Sequence, residues 1–197
     1  MTQSNYRFAL TGGIGSGKST VAEIIRRQNY VVFSCDAIYE ELLHNKEFLN
    51  NLSCEFGDVL SHDGTLDRGK LAEKVFSDNA ARERLNAITH PAIMDEVFNR
   101  SKGLKISFIE VPLLFENGFE RYFDGVIVVL RNLNERIAAV SKRDKIDSES
   151  VNLRIKSQFN YENNDFTKYY VIHNDGNLSN LEQKTVVILE KIKAKYL

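Results

Sequence analysis

Tryptophan is absent from these 197 residues, and proline and cysteine occur only twice each. Two cysteines, Cys35 and Cys54, are too few for a disulfide framework and lack zinc-finger spacing, and no histidine-rich tract accompanies them. They read as free thiols in a reducing compartment. Neither charge sign dominates: 26 Lys and Arg face 27 Asp and Glu. The chain therefore carries no global electrostatic footprint for nucleic acid, although a local basic pocket for phosphates stays compatible with neutrality. No window approaches the ~20 apolar residues of a membrane span. Residues 1–5 are polar and the apolar run behind them is short, unlike a secretory leader. A cytoplasmic protein with neither membrane nor nucleic-acid partners is expected. Internal repeats and low-complexity tracts are also missing.

The remainder is ordinary globular material, 43% hydrophobic and 27% charged. Its length suits one domain, with room for a small appended subdomain. Short apolar runs at 6–10, 30–33, 105–111, 125–130 and 169–173 read as buried strands. Helical patterns fall at 19–28, 37–43, 47–56, 69–76, 80–98, 133–143, 148–159 and 178–195. Pro91 is expected to kink or break the 80–98 helix near His90, and 62–68 reads as a loop. Strands alternating with helices predict an α/β fold whose five-stranded parallel sheet is covered on both faces. The strandless stretch 37–100 is too long for a plain crossover and predicts a helical insertion. Ligands in such sheets bind at the carboxyl edge of the strands.

The strongest motif is Gly12-Gly-Ile-Gly-Ser-Gly17-Lys18-Ser19, a complete G-x-x-x-x-G-K-[ST]. By composition alone it would arise in roughly one per cent of chains this long. A strand before it and a helix after it supply the confirming context. Gly13, Ile14, Gly15, Ser16 and Gly17 can turn tightly and offer consecutive N–H groups to phosphate oxygens. Lys18 supplies a point charge to the β- and γ-phosphates, and the Ser19 hydroxyl is the expected Mg²⁺ ligand. Thr20 supports the helix start, whose positive end faces the anion. ATP and Mg²⁺ are the cofactors this predicts.

Three classes share such a loop. A GTPase switch needs an N-K-x-D sequence after a strand, but Asn45-Lys46 is followed by Glu-Phe in the helical region. A motor ATPase needs a strand ending in Asp-Glu, whereas the third strand ends Glu110-Val-Pro. A small-molecule kinase remains, in which an arginine-bearing lid closes on ATP.

Further along, the chain resembles the dephospho-CoA kinase family over nearly its whole length. The resemblance rests on LTGGIGSGKSTVA at 10–22, Asp36, Phe56-Gly57, DGTLDR at 63–68, Val75-Phe76, Ile88-Thr-His-Pro91, Val111-Pro-Leu-Leu-Phe-Glu116, Lys142-Arg-Asp144, Arg154-Ile155 with Gln158, and Val171-Ile with Asn174 and Gly176. It departs from the family at Ser34, where an Asp is usual, at Glu40, where an Arg is usual, and at Asn164 and Tyr169. The resemblance implies a P-loop kinase fold of one domain, 1–197. Within it, 37–100 would be a helical acceptor subdomain and 143–165 a lid. It also implies transfer of phosphate from ATP to the ribose 3′-hydroxyl of dephospho-CoA by a monomer. A nucleoside or nucleotide kinase, or a nucleotide-binding regulator without turnover, are the alternatives.

Asp36, just past the second strand, is the expected general base; the same residue would equally suit a helix N-cap. Arg143 resembles the arginine that reaches ATP phosphates, though pairing with Asp144 or Asp147 would also occupy it. Arg154 and Gln158, four apart, would share a helix face. Arg68 could meet the CoA side or tie down its loop. His90 could enter the acceptor pocket or mark a structural kink. Glu116 could be a site carboxylate or a cap before Asn117.

Overall fold

The protein is described here by a computed structural model covering residues 5–76 and 78–197. Residues 1–4, most of the polar opening segment, lie outside the described residues. The chain divides into two compact units: residues up to Phe33 together with Gly103–Leu197, and Ser34–Lys102.

The first unit is built on the sheet. Strands β1 (Tyr6–Thr11), β2 (Val31–Ser34), β3 (Ile106–Glu110), β4 (Gly125–Leu130) and β5 (Tyr170–His173) lie in the order β2-β3-β1-β4-β5. The sheet is parallel, as expected. β1 is central: Leu10 is aligned with Glu110 of β3 and Thr11 with Val128 of β4. Its middle, Phe8-Ala9-Leu10, is an unbroken apolar run because both faces are covered, and all three residues are wholly buried. Helices α1 (Lys18–Arg27) and α8 (Leu178–Tyr196) supply Val21, Ile24, Ile25, Leu181, Leu189 and Ile192 to the same core. Each such side chain contributes roughly 1.5–3 kcal/mol when fully buried.

The chain leaves β1 for β2 on one side, and β3 and β4 then pair with β1 on either flank. The carboxyl end of β1 is thus a topological switch point, where open α/β sheets bind ligands. After β4 come α6 (Leu133–Asp144) and α7 (Ser148–Lys156). Residues 119–122, between β3 and β4, form a short 3-10 turn.

The second unit is helical: α2 (Cys35–Leu42), α3 (Lys46–Phe56), α4 (Arg68–Phe76) and α5 (Asn79–Arg100). The other three helices all pack on α5. Leu43, Phe48, Leu52, Phe56, Val59, Leu71 and Ala81 form their common core. The expected loop at 62–68 is pinched by one antiparallel bridge, Leu60 with Leu66. Asp63 Oδ1 tightens it by accepting from the Thr65 hydroxyl at 2.7 Å and the Thr65 N–H at 3.0 Å.

Of the kink or break expected at Pro91, the break does not occur. Helix α5 runs unbroken through it for 22 residues. The carbonyl that loses its donor belongs to Ala87, four residues earlier. Ala87 and Pro91 both lie on the exposed face, where water can satisfy that group. Packing of α2, α3 and α4 along α5 holds the rest of the ladder.

Candidate active site

Residues 12–19 connect β1 to α1, so the switch point and the glycine-rich motif coincide. Gly15 and Gly17 adopt φ of 78° and 95°, conformations that L side chains resist. Ser16 N–H closes a tight turn onto the Gly13 carbonyl at 3.0 Å. Gly17 is the N-cap of α1; it offers no side-chain cap, and no acidic residue occupies the first turn. The N-terminal N–H groups of that helix and its positive end therefore suit an anion. Lys18 and Ser19 open the helix, and Thr20 follows on its exposed side.

Three side chains from three separate segments pin the loop from behind. Gln158 Oε1 accepts from the Ile14 N–H at 2.9 Å. Arg136 Nε donates to the Ile14 carbonyl at 2.9 Å. Asn174 Nδ2 donates to the Ser16 carbonyl at 2.8 Å. Helix α6 packs on Gly15 through Arg136 and Val140. Gln158 lies beyond the end of α7, which stops at Lys156, with Ser157 as C-cap donating its hydroxyl to the Arg154 carbonyl. Gln158 and Arg154 do not share a helix face, contrary to the expected helix at 148–159: Arg154 pairs with Asp144 at 3.2 Å.

At the front of the loop, the Ser19 hydroxyl donates to Glu110 Oε1 at 2.9 Å. The sequence reading used the ending Glu110-Val-Pro only to set aside motor ATPases. Strand pairing explains what it missed: the last residue of β3 stands beside the end of β1 and therefore beside the motif. The signal was present as an acidic residue at the carboxyl end of an apolar strand. Ser19 and Glu110 together offer hard oxygen atoms, and a magnesium ion is commonly held by one or two such groups plus substrate phosphates rather than by an all-protein cage. No cluster of three or more His, Cys, Asp or Glu suited to a metal exists among the described residues.

The segment behind Gln158 is fastened by aromatic rings. Phe115 lies 4.9–6.1 Å from the rings of Phe159, Tyr161, Phe166 and Tyr169. Glu116 Oε1 accepts from the Phe159 N–H at 2.8 Å; it holds this segment and does not cap Asn117. The Tyr161 hydroxyl meets Thr11 Oγ1 at 3.2 Å, and burial pushes its pKa up to about 12. Two departures from the family pattern thus have local work. Tyr169 belongs to the ring cluster, and Asn164 closes its own turn by donating to the Asn160 carbonyl at 2.7 Å. A cavity of about 290 Å³ opens beside the loop, lined among others by Gly13, Ser16, Arg131, Tyr161, His173 and Asp175.

Arg143 stands in the last turn of α6, three residues past Val140, with an exposed side chain forked onto Asp144 at 2.6 and 3.0 Å. Of the two pairings open to it in the sequence, this structure contains the one with Asp144.

Asp36, Arg68 and His90 belong to the helical unit. Ser34 caps α2, its hydroxyl accepting from the Ala37 N–H at 3.3 Å. The cap expected of Asp36 is thus made two residues earlier, and Asp36 sits exposed in the first turn. Arg68 begins α4 rather than ending a loop, and pairs with Glu40, another departure from the family pattern. Hydrogen bonding to Glu40 raises the Arg68 pKa further. His90 is half-buried in α5, and burial lowers its pKa.

A family model described as dephospho-CoA kinase (CoaE) matches residues 6–180. A dephospho-CoA kinase from Fusobacterium nucleatum is 34% identical over 186 residues, covering 93% of this chain and 96% of the relative. Among solved structures, TT1252 from Thermus thermophilus superposes with a TM-score of 0.82 at 34% identity, covering 96% of this chain and 98% of its own. A dephospho-CoA kinase from Campylobacter jejuni gives 0.70 at 27% identity, covering 98% and 100% respectively.

Proposed function

The chain belongs to the dephospho-CoA kinase family, and we propose that it transfers the γ-phosphate of ATP to the ribose 3′-hydroxyl of dephospho-CoA, releasing CoA and ADP. The observation that carries this reading is a complete phosphate loop at the sheet's switch point, with Ser19 held by Glu110 at its front.

Phosphoryl transfer asks a protein mainly for positioning and charge stabilisation. The N–H groups at the start of α1 and the Lys18 ammonium bind the phosphates and hold the γ-group in line. Ser19 and Glu110 would hold Mg²⁺, which when bound neutralises charge developing on the phosphate oxygens. Asp36 accepts the proton of the attacking 3′-hydroxyl or orients it. Arg143 exchanges Asp144 for the transferring phosphate. Arg68, His90 and Glu116 serve the acceptor side, with 37–100 as acceptor subdomain and 143–165 as lid. The enzyme works as a cytosolic monomer. Among the described residues, no helix is long and apolar enough to cross a membrane.

A substrate panel tests the reading. The protein is incubated with Mg-ATP and, separately, dephospho-CoA, nucleosides and nucleoside monophosphates, and ADP release is followed. Turnover on dephospho-CoA alone is expected. Turnover on a nucleoside but not on dephospho-CoA would defeat it, and no turnover on anything would favour a nucleotide-binding regulator.

A further inference from the structure

Arg136 is the largest fully buried side chain, with 2% of its surface exposed. A guanidinium stays protonated even when desolvated, so a full positive charge is sequestered behind the phosphate loop. Burying a charge is unfavourable unless it is paired and hydrogen-bonded. Two groups meet that need. One is the Glu162 carboxylate, which accepts from Nη1; the other is the Ile14 carbonyl, which accepts from Nε. The guanidinium also lies flat against Gly13. A Cβ there would come 2.7 Å from Arg136 Cζ and closer still to Nη2. Gly13 shows no positive φ, so this close approach, not backbone conformation, is what requires glycine.

We propose that Arg136 is a positioning residue for phosphoryl transfer. Clamped between Glu162 and the Ile14 carbonyl, it fixes the turn at residues 13–15 in its anion-binding shape and ties that turn to the ring-anchored segment around Tyr161. Gln158 holds the N–H of Ile14 and Arg136 holds its carbonyl, so the peptide groups on both sides of Ile14 have set orientations. Since the turn leads directly into the uncapped N–H groups at the start of α1, a rotation of either peptide plane would re-aim donors in a site that acts through preorganised dipoles. Arg136 acts through the loop backbone it touches at Gly13 and Ile14, so its loss should weaken nucleotide binding rather than acceptor binding.

The inference rests on the kinase reading, and ADP binding without acceptor separates the two. Arg136→Gln, Arg136→Lys and Glu162→Gln are compared in the full chain. The readouts are melting temperature, the dissociation constant for ADP with Mg²⁺, and the separate KM values for Mg-ATP and dephospho-CoA. Lysine keeps the charge but has no Nε–H in place for Ile14. Both Arg136 variants should raise the ADP dissociation constant and the Mg-ATP KM by at least about tenfold, the scale of small misplacements in preorganised sites, while the dephospho-CoA KM stays within twofold. Glu162→Gln leaves the bond to Ile14 and should change nucleotide binding less than threefold. A folded Arg136 variant that binds ADP within twofold of the parent overturns the proposal. So does a Glu162→Gln effect as large as that of Arg136→Gln, which would reduce Arg136 to half of a structural ion pair. If Arg136→Gln fails to fold, the lysine variant and Glu162→Gln decide the matter by the same criteria.

Discussion

The hydroxyl of Ser19 and the carboxylate of Glu110 are 2.9 Å apart, joining the last residue of β3 to the second residue of α1. The bond orients the one loop hydroxyl expected to meet a metal. Replacing Glu110 with Ala leaves Ser19 without its acceptor. The Mg²⁺ concentration giving half-maximal activity should rise about 10- to 100-fold, the usual cost of removing a group that orients a metal ligand. Mg²⁺-dependent strengthening of ADP binding should fall with it. An unchanged Mg²⁺ requirement would make the Ser19–Glu110 contact a packing detail.

Asp36 is separable from the cap of its helix, because Ser34 makes that cap. Asp36→Asn should therefore leave that cap and ADP affinity intact, while kcat drops by about 10²–10⁴, the typical contribution of a general base. Loss in kcat without loss in binding marks an interaction made only in the transition state. Lys18→Ala should instead damage both. If Asp36→Asn retained turnover within about threefold, the general-base assignment would be wrong.

The sheet and the phosphate loop were legible because each follows from local pattern: apolar runs for β1, β3 and β4, and a contiguous motif between β1 and α1. The side chains that hold the loop were not. Arg136, Gln158 and Asn174 lie 122, 144 and 158 residues from their loop partners, and nothing in the sequence distinguishes a buried arginine from a solvated one. Glu110 became readable only when strand order placed β3 next to β1. Pro91 does not end its helix, because it and Ala87 lie on the exposed face of α5, which the local rule for proline does not take into account. Ser34 took the cap from Asp36 because the chain turned helical at Cys35, two residues earlier than its pattern indicated.

His90 gives a pH dependence of definite sign. Burial lowers its pKa from the ordinary 6.5, so below about pH 6.5 the unfolded chain binds the proton more readily than the folded one. Stability should be complete above that value and decline as pH falls from it through the lower, folded-state pKa. His90→Asn should flatten this part of the curve whatever its effect on absolute stability. Denaturant unfolding at closely spaced pH values between 5 and 7.5, windows chosen around the reference value, would check it. An identical slope in the variant would assign the pH dependence to other groups.

Arg68 is held by Glu40 on the surface of the helical unit, and both side chains are more than half exposed. Surface pairs of this kind add little to stability because water and salt screen them. Glu40→Gln should therefore leave the melting temperature unchanged while freeing the guanidinium. If Arg68 meets the anionic part of the acceptor, its release lowers the KM for dephospho-CoA and steepens the rise of that KM with added salt, since a mobile cation facing phosphate is screened more than one already neutralised. Arg68→Ala should raise the same KM, and combining it with Glu40→Gln should abolish the gain, because the glutamate would then have no cation left to restrain. The KM for Mg-ATP, which involves the phosphate loop of the other unit, should not move in any of the three. A Glu40→Gln protein whose dephospho-CoA KM and salt response match the parent would place Arg68 outside the acceptor site and leave its pair with Glu40 as a local tie at the start of α4.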